Sequence, residues 1–442
     1  MLLIYSDIST ARLRYVLDLV FTTQINIPYD FTNDIVRLQN HQGAKLSYCR
    51  ERISDEFFVL RNDFLLEGPI TPIDVPIHWD LNDITIFYST QSSDISYEIF
   101  AAIFLLVSRY EEYLPFTPDI NGRFSSGISL ASKNNFLDRP VVNEWIVDFH
   151  RLLKRRFPGF PEMQGTFSEI LTYDIDVAYK YKGRKFIRRI LSNLKDILTL
   201  NFVNISNRNK VVKGLIKDPW SSYNYIENKL SQSRLASIFF FLVGDHSSKD
   251  KNLPHDSILI RELVQRIRKF SEIGVHPSYF STFDLRMIKR EKERLEKISG
   301  ILIEKSRQHY LRVLLPQTYR NLISVGIRED YSMGFADAPG FRAGICTPFY
   351  FYDLEKECVT NLKVFPITLM DGNFFKYMGL KPVEATILIN SLLERVRQVN
   401  GIFISIWHNH TLSEEGNFKG WREVHDKMIE QILVIKLNKM LK

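Results

Sequence analysis

Two carboxylates close an apolar run in Leu171-Thr172-Tyr173-Asp174-Ile175-Asp176-Val177. On an extended strand, residues two apart point to one face. Asp174 and Asp176 therefore converge just past the strand's C-terminal end, where α/β folds keep their chemistry. Two carboxylates that close repel each other unless a divalent cation or a shared proton sits between them. The spacing asks for a metal, and for partners elsewhere in the chain.

Four other places carry suitable residue types. In Gly274-Val275-His276-Pro277-Ser278-Tyr279, His276 ends a short strand at a loop mouth, as a metal ligand or as a loop histidine with a structural hydrogen bond. In Arg307-Gln308-His309-Tyr310-Leu311-Arg312, His309 and Arg312 flank the start and middle of an expected strand. Arg312 is then either an ordinary ion-pair partner or a guanidinium that holds a catalytic carboxylate in place and keeps it ionised. The segment Asp337-Ala338-Pro339-Gly340-Phe341-Arg342-Ala343-Gly344 reads as a tight loop projecting Arg342, or as a plain surface turn. Finally, the apolar strand Ile402-Phe403-Ile404-Ser405-Ile406-Trp407 delivers His408 and His410 on one face, with Asn409 opposite. A general acid fits there, and Asp371, closing another strand, could orient it.

These residues need a frame. Residues 1–160 read as one unit, with strands at 2–5, 57–60 and 84–88 and helices at 10–20, 97–113 and 143–156. A Pro/Gly-containing stretch at 158–165 marks the boundary. Beyond it, strands at 169–174, 236–243, 273–276, 310–315, 362–368 and 402–407 alternate with helices at 258–270, 285–298, 318–325 and 382–399. That is the rhythm of a βα-built domain, and strands apolar on both faces fit a covered parallel sheet. Residues 180–216 interrupt it with Lys180, Lys182, Arg184, Lys185, Arg188, Arg189, Lys195, Arg208 and Lys210 among apolar residues. This segment is either a solvated helical insertion or a basic amphipathic surface for anionic lipid or an acidic glycan.

At 442 residues the chain exceeds one ordinary core. A net charge of +7 is modest for that length and does not point to nucleic acid. Cys49, Cys346 and Cys358 lack zinc-finger or CxxC spacing, which fits a reduced, cytoplasmic setting. The first apolar run is too short for a signal peptide, and no apolar run reaches transmembrane length. The expectation is a cytoplasmic protein with at most peripheral membrane contact.

The order Asp-x-Asp, His, Arg, Asp, His along residues 165–442 resembles the polysaccharide deacetylase superfamily (NodB homology, similar to family 4 carbohydrate esterases), in a divergent bacterial subgroup. The resemblance implies a distorted (β/α)7-type deacetylase barrel preceded by an N-terminal α/β domain (1–160) of unknown function. The segments Ser108-Arg109-Tyr110-Glu111-Glu112-Tyr113-Leu114 and Phe136-Leu137-Asp138-Arg139-Pro140 resemble an uncharacterised domain found ahead of such barrels. It implies a hydrolase that removes acetyl groups from an acetylated saccharide, with Asp174 as base, His408 as acid, Arg312 and Asp371 supporting them, and a backbone amide of the Ser278–Tyr279 turn stabilising the oxyanion. Asp176 and His276 would hold a divalent metal, zinc by preference. The family's second metal histidine is replaced by Phe280, so His309 is expected to supply the third ligand, with His410 a further candidate. Tyr279, Arg342 and Trp407 are expected to meet the glycan. The contrasting expectations are a non-catalytic carbohydrate-binding protein on a degenerate barrel and a peripheral membrane factor in polysaccharide assembly.

Overall fold

Short apolar strands and capped amphipathic helices alternate through the chain, and the computed structural model describes residues 1–80, 83–89, 92–184 and 186–440. Near the N-terminus, β1 (Leu2–Ser6), β2 (Tyr29–Thr32), β3 (Lys45–Cys49) and β4 (Phe57–Leu60) form a parallel sheet in the order β2-β1-β3-β4. A hairpin of β5 (Ile77–Asp80) and β6 (Asp83–Ile86) follows. The apolar helix Ile99–Val107 is wholly buried, and Val141–Arg156 packs with it in the same core.

The larger sheet holds nine strands: β7 (Ser168–Ile175), β8 (Ser237–Phe241), β9 (Glu272–Val275), β10 (Lys305–Ser306), β11 (Glu329–Asp330), β12 (Phe349–Asp353), β13 (Cys358–Val364), β14 (Leu369–Met370) and β15 (Ile402–His408). Their order is β12-β13-β11-β10-β9-β8-β7-β15-β14, and all pairs are parallel except β12 with β13. The expected barrel is not closed among the described residues. The antiparallel β12 ends one side, and the two-residue β14 ends the other without pairing to it.

Local chemistry explains several elements. Asp284 caps the helix Leu285–Ser299 by accepting from the Arg286 amide at 2.9 Å, and Gly300 ends it at φ +74°. In β9, a Cβ on Gly274 would lie 2.5 Å from the Phe240 ring and 2.9 Å from the Lys305 carbonyl oxygen. Only glycine admits β9 between β8 and β10.

One expected strand is absent. Residues 310–315 do not extend, because Tyr310 (φ 64°) and Leu311 (φ 53°) are left-handed. Each such residue costs roughly 1–2 kcal/mol, and two in succession end an extended run. The strand that joins the sheet is instead β10, just before Arg307. The N-terminal part reaches over this turn. Arg123 donates to the Tyr310 carbonyl at 3.1 Å, and Tyr279 donates to the Asn121 carbonyl at 3.1 Å. Among the described residues no helix is long and apolar enough to cross a membrane.

Candidate metal centre and acid-base site

Parallel register sets the site. Asp174 on β7 pairs with His408 on β15, and Val275 on β9 pairs with Ser306 on β10, so His276 and Arg307 follow at neighbouring strand ends. The side chains that emerge there are carboxylates, imidazoles and one guanidinium.

Asp176, His276 and His309 each offer a ligand atom within 4.8 Å of the others. His276 Nδ1 lies 2.5 Å from the Arg307 carbonyl oxygen, and His309 Nδ1 lies 2.8 Å from Asp250 Oδ1. Each Nδ1 has a hydrogen-bond partner, so Nε2 is the nitrogen turned inward, and in the neutral ring it offers its lone pair there. His276 Nε2 sits 3.1 Å from Asp176 Oδ1, and His309 Nε2 sits 3.5 Å from Asp176 Oδ2. Asp176 Oδ1 is buried yet makes no hydrogen bond. A buried, unpaired carboxylate oxygen facing two inward nitrogens fits a divalent cation better than it fits a solvated pocket. Burial by itself would raise the Asp176 pKa, but His309, His276 and His408 hold it well below the usual carboxylate range. For His309, burial opposes charge, and Asp176 and Asp250 outweigh it, lifting the imidazole to about 9.

Asp174 is 3% exposed and accepts from Arg307 Nη1 at 2.9 Å. The same nitrogen reaches Thr172 Oγ1 at 2.6 Å, and the guanidinium lies 4.4 Å from the centre of the Phe240 ring. On the other side, His408 Nδ1 meets Asp371 Oδ1 at 2.7 Å, while the His408 amide donates to Asp371 Oδ2 at 2.8 Å. His408 Nε2 is left 3.5 Å from Asp176 Oδ2. Burial works against charge on His408, but Asp371 and Asp176 raise it to about 10.

The structure thus gathers Asp174, Asp176, His276, His309, Asp371 and His408, and it corrects four expectations. Arg312 does not reach Asp174. It donates to the Tyr279 carbonyl at 3.1 Å and stacks on the Tyr279 ring at 4.4 Å, because the left-handed turn carries it away. Arg342 is 2% exposed and paired with Glu112 at 2.8 Å, so it cannot meet a glycan; its loop is pinned by Gly340 (φ +127°), where a Cβ would lie 2.4 Å from the Leu137 carbonyl oxygen. Trp407 is fully buried against His425 on the opposite face of β15 from His408. The Ser278 and Tyr279 amides are already committed, to Glu291 at 2.8 Å and Asp250 at 2.9 Å, and are unavailable to an oxyanion. Tyr279 itself is half-buried at the rim. His410 packs 5.1 Å from the His408 ring and 5.3 Å from Trp220, outside the Asp176–His276–His309 group. Phe280 is exposed.

Sequence reasoning missed two residues. Arg307 was within the motif, but its role depends on a two-residue strand too short to recognise. Asp250 lies in the polar loop Ser247-Ser248-Lys249-Asp250-Lys251, where nothing but a Ser-x-x-Asp turn marks it.

Residues 2–158 match a family of unknown function, DUF7033. No curated protein matches the chain. Among solved structures, a candidate polysaccharide deacetylase from Mycobacterium smegmatis aligns at TM-score 0.40 and 15% identity over 62% of this chain and 92% of that one. A 4-alpha-glucanotransferase from Thermococcus litoralis aligns at 0.36 and 13% identity, over 61% and 37% of the two chains. A CE4-family pseudoenzyme from Bacillus anthracis aligns at 0.29 and 10% identity, over 60% and 61%. Likenesses this weak do not choose among a deacetylase, a transferase and an inactive relative, so the functional reading rests on the side chains.

Proposed function

We propose that the chain is a metal-dependent hydrolase that removes acetyl groups from an acetylated saccharide. The observation that carries this reading is the convergence of Asp176, His276 and His309 within 4.8 Å, flanked by Asp174 on Arg307 and by His408 on Asp371. Two nitrogens and one carboxylate suit zinc, which when bound there would polarise the acetyl carbonyl and acidify a water. Asp174 takes the proton of the attacking water as that oxygen bonds to the acetyl carbon. Arg307 holds Asp174 in position for this transfer, and Asp371 holds the His408 ring with Nε2 toward the site. As the bond to the sugar nitrogen or oxygen breaks, His408 delivers a proton to the leaving atom, and acetate departs.

The test is acetate release from a panel of N- and O-acetylated sugars by zinc-equilibrated protein. Asp174→Asn should lower the rate by about 10²–10⁴-fold. No acetate from any substrate, or full activity in Asp174→Asn, contradicts the reading; glycan binding without turnover would favour a non-catalytic carbohydrate-binding role.

A further inference from the structure

Between β7 and β8 the chain leaves the sheet as three helices, of which Phe186–Leu198 and Phe202–Val212 form a hairpin ahead of Tyr223–Ser233. Asp218 closes the base of this insertion. Its carboxylate accepts from the amides of Lys180 (2.8 Å), Tyr181 (2.8 Å), Lys182 (3.0 Å) and Trp220 (3.1 Å). Trp220 in turn lies 5.3 Å from His410, whose ring is 5.1 Å from that of His408, so the insertion is rooted beside the acid-base side of the site.

Among the described side chains of the first helix the polarity is inside out. In the first helix Ile190, Leu191, Leu194, Ile197 and Leu198 recur at the spacing of one helical face. All five are exposed, Leu198 by 85% and Leu191 by 60%. The polar face is the one turned inward. Asp196 is buried and paired with Arg208 of the second helix, which also reaches Asn193 and stacks 5.4 Å from Tyr181. Leu200, Phe202 and Val203, where the helices join, are exposed as well. The same two helices and the loop that follows carry exposed Lys195, Lys210, Lys213 and Lys217. The acid Asp196 is neutralised by Arg208. Lys185 and the Arg188 side chain lie outside the described residues.

We infer that this hairpin docks the protein on an anionic phospholipid bilayer, its apolar face among the upper acyl chains and its lysines against headgroup phosphates. An exposed apolar stripe on a lysine-bearing hairpin, with no free acid among its described residues, matches that surface. A second copy of the chain would bring lysine against lysine across a two-fold interface, which disfavours it as the occupant. On the hydrolase reading above, docking brings the rim of the site to the membrane and makes a lipid-carried acetylated saccharide the substrate class.

Flotation of the full chain with phosphatidylcholine vesicles, with and without about one-third phosphatidylglycerol, tests this. The chain should float with the anionic vesicles and about tenfold less with neutral ones or in high salt. Combined Leu191→Ser, Leu194→Ser and Leu198→Ser should lower flotation by about tenfold or more while leaving the thermal melt and acetate release from soluble sugars unchanged. Failure to float, flotation indifferent to lipid charge, full flotation of the triple variant, or a wild-type dimer that the triple variant dissolves would each overturn the proposal. Binding is read without substrate, so its failure leaves the hydrolase reading standing, and absence of acetate release leaves the docking standing.

Discussion

Arg307 and Arg312 sit on either side of the left-handed turn at Tyr310 and Leu311, and they do different jobs. Arg307 is buried on Asp174, whereas Arg312 stacks on Tyr279. Arg307→Ala should lower kcat/KM by about 10²-fold by releasing the base from its position, and Arg312→Ala should change it far less. Steady-state kinetics on the best acetylated sugar decides between them; equal losses would undo the assignment. Asp250 acts through His309, whose Nδ1–H it accepts at 2.8 Å. Asp250→Asn should weaken zinc binding by about 10–100-fold, measured by competition with a chelating dye. His408 and Asp371 were legible because each follows a long apolar run, and the paired positions Asp174/Asp176 because strand residues two apart share a face. The same rule shows why Trp407 could not join His408: adjacent residues on a strand face opposite ways.

At the scale of elements, the turn after β9 is held by a buried acid. Glu291, on the helix Leu285–Ser299, accepts from the Ser278 amide at 2.8 Å and the Ser278 hydroxyl at 2.6 Å. Burial raises its pKa from 4.5 to about 7, against the lowering effect of those bonds. Between these two values the folded protein keeps a proton that the unfolded chain has released. Stability from this group is therefore lost as pH rises through that window, by up to roughly 3 kcal/mol. Glu291→Gln cannot ionise, so its stability relative to wild type should rise from pH 5 to pH 8 in denaturant melts, by about that amount. A constant difference would show that Glu291 does not titrate there. Long apolar strands and capped helices such as Leu285–Ser299 were readable from periodicity. The two-residue strands β10, β11 and β14 were not, since so few residues carry no period and their pairing is set by distant neighbours.

At the scale of the whole molecule, one buried charge cluster ties the N-terminal part to the nine-stranded sheet. Glu112 bonds Arg342 Nε at 2.8 Å and Arg109 Nε at 2.7 Å, and Arg109 also donates to the Arg342 carbonyl. Arg342→Met would leave a buried carboxylate partly uncompensated, a loss of about 3–5 kcal/mol in unfolding free energy with little change in KM for a soluble sugar. A KM effect without destabilisation would return Arg342 to the glycan. The open sheet, like this cluster, was beyond sequence reasoning, because closure depends on which edges pair across the whole fold. What links all scales is the claim that His309 replaces the missing second histidine as third metal ligand. Zinc stoichiometry and affinity of wild type and His309→Ala, after equilibration and desalting, test it most directly. The account predicts one zinc per wild-type chain and binding weaker by about tenfold or more in the variant. A wild type that holds no zinc, or a His309→Ala that holds it equally well, would contradict it.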